Sequence, residues 1–180
     1  MVAIILGTGF EPMETVTPCD ILRRGGLEVK LVSVSGDVVE GGHGIRVQAD
    51  CMIEEIDPAQ TEMVVLPGGL GGVNSILASQ KALDLVKNAY ENGKFVAAIC
   101  AAPTILAKLS ITDGKKATCY PGMEEQMGSA LMQNCAVVRD GSVITGRAAG
   151  VAEEFGLELL AALRGADAAD AVAKAIVSRA

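Results

Sequence analysis

A strand runs directly into a helix in the stretch Phe95-Val-Ala-Ala-Ile99-Cys100-Ala101-Ala102-Pro103. The pattern is typical of a nucleophile elbow, a sharp turn that presents one reactive side chain at the carboxyl end of a strand. Such a turn needs small residues two positions before and two positions after the nucleophile, and Ala98 and Ala102 meet this need. Cys100 is therefore the candidate reactive residue.

The helix that follows Cys100 bears on the chemistry of its thiol. Pro103 is compatible with the first helical turn, where its missing N–H group costs nothing. A helix N-terminus favours a thiolate over a thiol, so we expect Cys100 to be the most acidic of the five cysteine thiols. The alternative interpretation is a buried cysteine that serves only as a small apolar side chain.

Strands and helices alternate along the rest of the chain, which is typical of a parallel sheet covered on both faces. The predicted strands are Val2–Leu6, Glu28–Val34, Met63–Leu66, Phe95–Ile99, Ala117–Tyr120, Ala136–Arg139 and Val143–Thr145. The predicted helices are Pro12–Arg24, Ala82–Asn92, Ala102–Leu109, Val151–Leu163 and Ala166–Ser178. At 180 residues, the chain has the length of one ordinary domain, residues 1–180. The sequence thus predicts a single α/β domain.

Two short segments predict antiparallel hairpins. In residues 37–50, Gly41-Gly42-His43-Gly44 precedes the run Ile45-Arg46-Val47, which predicts a small hairpin attached to the main sheet. Asp140-Gly141 lies between two β-branched runs and is a second hairpin signal. Neither segment needs a domain of its own.

Composition and charge exclude several classes of protein. The net charge is −7, and no basic cluster is dense enough to bind a nucleic acid backbone. The apolar segment Met1–Gly7 is too short for a signal peptide or a membrane span. Five cysteines without a Cys-x-x-Cys pair, with a single histidine, indicate free thiols in a reducing compartment and no metal site. We therefore expect a cytoplasmic protein that binds neither nucleic acid nor membrane.

A second strand ends in a glycine-rich loop, Met63-Val-Val-Leu66-Pro67-Gly68-Gly69-Leu-Gly71-Gly72. Because parallel strands end at one edge of the sheet, we expect this loop to lie beside Cys100. Glycine lets backbone N–H groups approach a ligand closely, so the N–H groups of Gly69 and Ala101 are the candidate oxyanion donors. The alternative is a tight connection to a helix. The glycine spacing matches neither nucleotide-binding fingerprint.

The first strand gives way to the first helix in Gly7-Thr-Gly9-Phe10-Glu11-Pro12-Met13-Glu14-Thr15. Pro12 marks the helix start, which puts Glu14 in the first turn and at the same sheet edge as Cys100. Glu14 is therefore the second candidate catalytic residue. The alternative interpretation is a carboxylate that only complements the helix dipole.

These segments resemble three motifs of the ThiJ/PfpI superfamily, and most closely its DJ-one branch. The glutamate motif is Gly9–Thr15, the glycine loop is Val65–Gly69 and the cysteine elbow is Ala97–Pro103. The segment Thr145–Phe155 resembles the approach to the late helix of that branch. The resemblance covers most of the chain, and three motifs in register make it specific.

The resemblance implies a flavodoxin-like three-layer sandwich, similar to glutamine amidotransferase domains, with a mostly parallel central sheet and a small antiparallel hairpin. It also implies a homodimer. At the site, it implies a Cys100 thiolate that accepts a hydrogen bond from a protonated Glu14. A carboxylic acid beside a thiolate has its pKa raised by the neighbouring charge and by desolvation.

The sequence departs from the branch at three positions. Tyr120 stands where the branch has histidine, and a phenol with a pKa of about 10 is a poorer proton shuttle at neutral pH than imidazole. Ala102 replaces the usual glycine of the elbow. His43, the only histidine, lies where relatives carry an arginine near the dimer interface. We interpret His43 as a surface residue of the hairpin, with access to a partner's site as the alternative.

The remaining cysteines differ in their expected roles. Cys119, directly before Tyr120, is a candidate resolving cysteine for Cys100. Both Cys119 and Tyr120 are thus candidate accessory residues, as is His43. We interpret the other three as buried packing residues: Cys19, Cys51 and Cys135.

Two functions from different classes fit these residues and the resemblance. The first is a cysteine-dependent, cofactor-free enzyme of glyoxalase or deglycase type, whose substrate is a small carbonyl compound. It would act on 2-oxoaldehydes such as methylglyoxal, or on their adducts with thiols and amines. The second is a redox-responsive sensor or chaperone in which Cys100 is oxidised to a sulfinate held by Glu14. A hydratase or an amidase is a third interpretation.

Overall fold

A seven-stranded central sheet organises the protein, whose computed structural model describes residues 1–178. The strands are β1 (Val2–Leu6), β2 (Val29–Ser33), β3 (Val38–Glu40), β4 (Arg46–Gln48), β5 (Cys51–Met52), β6 (Met63–Leu66), β7 (Phe95–Ile99), β8 (Lys116–Ala117), β9 (Leu131–Met132), β10 (Val137–Asp140) and β11 (Val143–Gly146). The sheet order is β10-β11-β7-β6-β1-β2-β5. Every neighbouring pair in it is parallel except β10 with β11.

Helices cover both faces of this sheet. They are α1 (Pro12–Arg24), α2 (Leu70–Leu77), α3 (Gln80–Glu91), α4 (Pro103–Lys108), α5 (Ala152–Arg164) and α6 (Ala166–Ala175). The helices α1, α5 and α6 pack on one face, and α2, α3 and α4 on the other. The predicted α/β fold is therefore confirmed, with a mostly parallel sheet between two helical layers.

The alternation of side chains in the buried strands produces two apolar cores. In β1, Ile4 and Leu6 contribute to the core beneath α1 and α5, whereas Ala3 and Ile5 contribute to the opposite core. All four are fully buried, which is why the strand is a continuous apolar run. Complete burial of one such large aliphatic side chain stabilises the fold by about 1.5–3 kcal/mol.

Three strand ends bring the candidate site together. The pairs Ile4↔Val65 and Leu66↔Ala98 fix the registers of β1, β6 and β7. The loops that follow these strands therefore leave from one edge of the sheet. They are the loops that carry Glu14, the glycine run and Cys100, as the parallel arrangement predicts.

Both predicted hairpins are present. Strands β10 and β11 pair antiparallel across Asp140 and Gly141, and Gly141 has a φ of +62°. Strands β3 and β4 form a separate two-stranded sheet, so the expectation that this hairpin joins the main sheet is wrong. It is attached instead to the loop before α1, where Gly42 N–H donates to Phe10 O at 2.8 Å.

Two local predictions were wrong. The run predicted as a strand at Ala117–Tyr120 contributes only its first residue to a strand, β8, which pairs with β9 outside the main sheet. Helix α2 was interpreted as part of a glycine-rich loop. It is helical although it contains Gly71 and Gly72. Close packing on Phe10 requires glycine at position 72, because a Cβ there would lie 2.8 Å from Phe10 Cα.

Among residues 1–178, every helix is too short or too polar to cross a lipid bilayer.

Candidate functional site

The chain turns sharply at Cys100, directly after β7. Cys100 has a φ of +66°, a conformation that costs a non-glycine residue about 1–3 kcal/mol and that is concentrated at functional sites. Two backbone hydrogen bonds hold the turn: Cys100 N–H donates to Gly146 O at 2.9 Å, and Tyr120 N–H donates to Cys100 O at 2.7 Å. The predicted nucleophile elbow is thus present, with a half-buried Cys100 side chain.

Glu14 lies in the first turn of α1 and is completely buried. Glu11 caps this helix by accepting a hydrogen bond from Glu14 N–H at 2.8 Å. Glu14 Oε2 accepts a hydrogen bond from Gly68 N–H at 2.8 Å, which fixes the carboxyl group against the loop after β6. A buried carboxyl group held in this way is a candidate for proton transfer.

Gly68 is a site residue that the sequence reasoning did not single out. A Cβ at this position would lie 2.5 Å from Glu14 Oε2 and 2.8 Å from Cys100 Cβ. Only glycine therefore leaves room for both side chains. The Pro67-Gly68-Gly69 run was the available signal, because glycine directly after a buried strand allows neighbouring groups to approach the backbone closely.

The backbone N–H groups of Gly69 and Ala101 interact with the Cys100 sulfur and lower the pKa of its thiol. Gly69 reaches this position with a φ of +81°, directly before α2. The loop is fixed by a bond from Glu11 N–H to Gly68 O at 3.0 Å. The two residues chosen from sequence as oxyanion donors are thus brought together at the sulfur, where they stabilise negative charge.

Burial dominates the titration of the two side chains. It raises the pKa of Glu14 from its usual 4.5 to about 7, while hydrogen bonding to Cys100 and Gly68 lowers it. Burial also raises the pKa of the Cys100 thiol to about 12, and an ionised Glu14 adds to the rise. The Glu14 carboxyl group interacts with this thiol, and its buried Oε1 atom has no hydrogen-bond partner among residues 1–178.

These shifts change the expected behaviour of Cys100. The expectation that Cys100 is the most acidic thiol does not hold while Glu14 is ionised, because burial and the carboxylate charge outweigh the backbone donors. A thiolate at Cys100 is favoured only when Glu14 carries the proton. The two side chains therefore act as a unit that shares one proton.

The side chains of the three accessory residues are not part of the Cys100–Glu14 pair. Tyr120 contributes its backbone N–H, whereas its side chain is 48% exposed. Cys119 is buried, its thiol donates to Tyr120 O at 3.5 Å, and burial raises its pKa to about 11. His43 is exposed at the turn between β3 and β4. Within residues 1–178, none of the three side chains hydrogen-bonds to Cys100 or Glu14.

All five cysteines are free thiols, which includes Cys119 and Cys100. Cys19 is buried as expected and Cys51 is partly buried, and burial raises the pKa of both thiols. The interpretation of Cys135 as a buried packing residue is wrong, because it is exposed after β9. In the part of the chain that the structure describes, no three His, Cys, Asp or Glu side chains are grouped so that they could hold a metal ion.

Known proteins resemble this chain in sequence and in fold. The model of the DJ-1/PfpI family matches residues 1–162. Protein dj-1beta of Drosophila melanogaster is 36% identical over 177 residues, which cover 97% of this chain and 95% of that protein. The crystal structure of Drosophila melanogaster DJ-1beta superposes with a TM-score of 0.93, over 99% of this chain and 98% of that one.

Two further relatives differ in what their names describe. The structure of oxidised Toxoplasma gondii DJ-1 superposes with a TM-score of 0.95 at 28% identity, and covers 99% of this chain and 98% of that one. A protein of Pyrococcus abyssi that is named a deglycase is 33% identical over 151 residues, which cover 83% of this chain and 90% of that protein.

Proposed function

Because the chain belongs to the DJ-1/PfpI family, we propose that it is a cysteine-dependent enzyme that converts small 2-oxoaldehydes without a cofactor. Its substrates are compounds such as methylglyoxal, or their adducts with thiols and amines. The observation that carries the proposal is the pair of a buried Glu14 and a half-buried Cys100, whose sulfur interacts with the N–H groups of Gly69 and Ala101. The name of the Pyrococcus abyssi relative supports the same class of chemistry.

The geometry suggests how the pair would act on methylglyoxal. The Cys100 thiolate adds to the aldehyde carbon, and the new oxyanion receives the proton of Glu14, which gives a hemithioacetal. The N–H groups of Gly69 and Ala101 stabilise the negative charge on that oxygen. The Glu14 carboxylate is then free to act as a base.

In the second half of the reaction, Glu14 removes the hydrogen from the former aldehyde carbon as a proton. It returns this proton to the neighbouring carbon, while the hydroxyl proton moves from the former aldehyde oxygen to the oxygen of that neighbouring carbon, which leaves a thioester of lactate on Cys100. Water cleaves the thioester, releases lactate and restores the thiol. The net reaction is addition of one water to methylglyoxal, with no external oxidant or reductant.

The conversion of methylglyoxal to lactate by the purified protein tests this proposal. We expect turnover by the wild type and none by Cys100→Ser. The matched control is Cys135→Ser, which removes an exposed thiol outside the site and should leave turnover unchanged. Absence of turnover in the wild type, or equal turnover by Cys100→Ser, would contradict the proposal.

A redox-responsive sensor or chaperone is the second candidate function. Cys100 is only half-buried, so an oxidant has access to it, and Glu14 Oε1 makes no ordinary hydrogen bond of its own. A protonated Glu14 would donate a hydrogen bond to a sulfinate on Cys100. Mild peroxide should then add two oxygen atoms to Cys100, as measured by mass spectrometry. Oxidation in a protein without methylglyoxal turnover would favour the sensor.

The proposal includes a cytoplasmic homodimer. Met13 and Val16 on α1 are 55% and 48% exposed, and they supply apolar surface for a second copy next to the helix that carries Glu14. Light scattering after size exclusion would show twice the chain mass. A monomer at micromolar concentration would contradict this part of the proposal.

A further inference from the structure

A cavity of about 310 Å³ lies next to the elbow and is distinct from the Cys100–Glu14 pair. Its lining residues are Thr118, Cys119, Glu124, Met132, Gln133, Asn134 and Arg147. Two backbone hydrogen bonds connect its walls to the elbow. One is accepted by Gly146, directly before Arg147, and the other is donated by Tyr120, directly after Cys119. A ligand in this cavity would therefore be a neighbour of the elbow.

One wall of the cavity carries a positive charge without a carboxylate partner. Arg147 is half-buried, and its Nη1 donates to the side-chain oxygen of Asn134. Among residues 1–178, no ion pair includes Arg147. The guanidinium group has five N–H donors, so a single bond to an amide leaves most of its capacity for a bound carboxylate.

A second wall carries a negative charge at Glu124, an exposed residue at the mouth of the cavity. Glu124 Oε2 accepts a hydrogen bond from Gly122 N–H at 2.8 Å. In the described part of the chain, Glu124 forms no ion pair, with Arg147 or with any other residue. The cavity thus presents two opposite charges that, within residues 1–178, form no ion pair with each other.

The remaining lining sets the size and polarity of the ligand. Met132 and the buried Cys119 supply apolar surface, and Thr118 and Gln133 supply polar groups. The volume of about 310 Å³ is at the lower end of the range for small-molecule sites. A purely anionic ligand would approach Glu124 with its own charge, so a ligand that carries both charges fits better.

We propose that this cavity binds a free α-amino acid with an apolar side chain. Its carboxylate pairs with Arg147, its ammonium group pairs with Glu124, and its side chain contacts Met132 and Cys119. The site is separate from the proposed enzyme chemistry, because binding needs neither the Cys100 thiol nor Glu14. The Cys100→Ser protein should therefore bind the amino acid as the wild type does.

Calorimetric titration of the wild type with three matched compounds tests the charge requirement without altering the protein. The compounds are L-leucine, 4-methylpentanoate, which lacks the ammonium group, and 3-methylbutylamine, which lacks the carboxylate. We expect saturable binding of leucine with a Kd on the order of 1 mM or tighter. Each analogue should bind at least about tenfold more weakly, since it leaves one of the two charge contacts unmade.

Charge-removing variants test the assignment of the two walls. Arg147→Gln and Glu124→Gln should each weaken leucine binding by about tenfold or more. The matched controls are Arg139→Gln and Glu125→Gln, which remove the same charges outside the cavity lining and should bind leucine as the wild type does. Absence of leucine binding to the wild type, or equal binding of leucine and 4-methylpentanoate, would overturn the proposal.

Discussion

At the scale of single residues, the Cys100–Glu14 pair depends on a position without a side chain. Gly68 lies between the two, and a methyl group there would be 2.5 Å from Glu14 Oε2 and 3.0 Å from Ile99 O. Gly68→Ala must displace the pair, so we expect a loss of about 1–3 kcal/mol of stability and most of the methylglyoxal turnover. Urea unfolding and a lactate assay measure the two effects.

Gly150→Ala is the matched control for this substitution. A Cβ at Gly150 would meet no atom within 4 Å, so stability should change by no more than about 0.5 kcal/mol and turnover should persist. Equal losses in the two variants would mean that the space around Gly68 has no special role.

Tyr120 illustrates a residue whose backbone, rather than its side chain, serves the site. Its N–H bond to Cys100 O is kept in Tyr120→Phe, and its phenol is half exposed. We therefore expect kcat/KM for methylglyoxal to change by less than about tenfold in this variant. A thousandfold loss would instead make the phenol the proton carrier and displace Glu14 from that role.

At the scale of elements, the packing of helix α2 against Phe10 depends on Gly72, which lies on the buried side of the helix. Alanine at position 72 would gain about 1 kcal/mol in helix propensity, but its Cβ would lie 2.8 Å from Phe10 Cα and 3.0 Å from Phe10 N. Backbone atoms cannot yield as a flexible side chain does, so Gly72→Ala should lower the free energy of unfolding by about 1–3 kcal/mol.

The control for α2 is Asn74→Ala, an exposed position of the same helix. There the change removes only a poor helix former, and stability should stay constant or rise by about 0.5 kcal/mol. If urea unfolding showed that Gly72→Ala is stabilising as well, propensity rather than close packing would govern this helix.

The elements also show which features the sequence could predict. The elbow, the strand β6 and the start of α1 were predictable, because apolar runs ending in Gly or Pro have direct physical consequences at each position. Helix α2 was not predictable, since glycine is a poor helix former. The glycine at position 72 is explained only by its close contact with Phe10, which is distant in sequence. Whether Ala117–Tyr120 forms a strand depends on its pairing with β9, which is a contact between residues remote in sequence.

The site was predictable only in part for a related reason. Cys100, Glu14, Gly69 and Ala101 follow from their places at strand and helix ends, and the structure brings them together. The raised pKa of Cys100 did not follow, because it depends on burial and on the distance to Glu14 in the folded chain. A helix N-terminus, considered alone, predicts the opposite direction.

At the scale of the whole molecule, the buried Glu14 makes folding stability depend on pH. Its pKa is about 7 in the folded protein against a usual 4.5, so between these values the folded state keeps a proton that the unfolded state releases. Its contribution to stability is therefore complete below about pH 4.5 and is lost as the pH rises through about 7.

Glu14→Gln removes this titrating group, so the difference in stability between the wild type and this variant reports the contribution of Glu14. We expect the free energy of unfolding of the wild type, relative to Glu14→Gln, to fall between about pH 5 and about pH 8. Urea unfolding at both pH values measures the difference. Glu154→Gln, at an exposed position in the first turn of α5, should follow the wild type. A constant difference between wild type and Glu14→Gln would mean that Glu14 is ionised throughout.

The sharing of one proton between Cys100 and Glu14 is tested most directly by the pH dependence of Cys100 alkylation. Iodoacetamide labelling of Cys100, followed by peptide mass spectrometry, should accelerate as the pH rises through about 7 and then level off, because the pair loses its first proton there. Glu14→Gln should show no such step and should increase in a single rise set by the thiol alone. Coincident profiles for the two proteins, without a step near pH 7 in the wild type, would contradict the account.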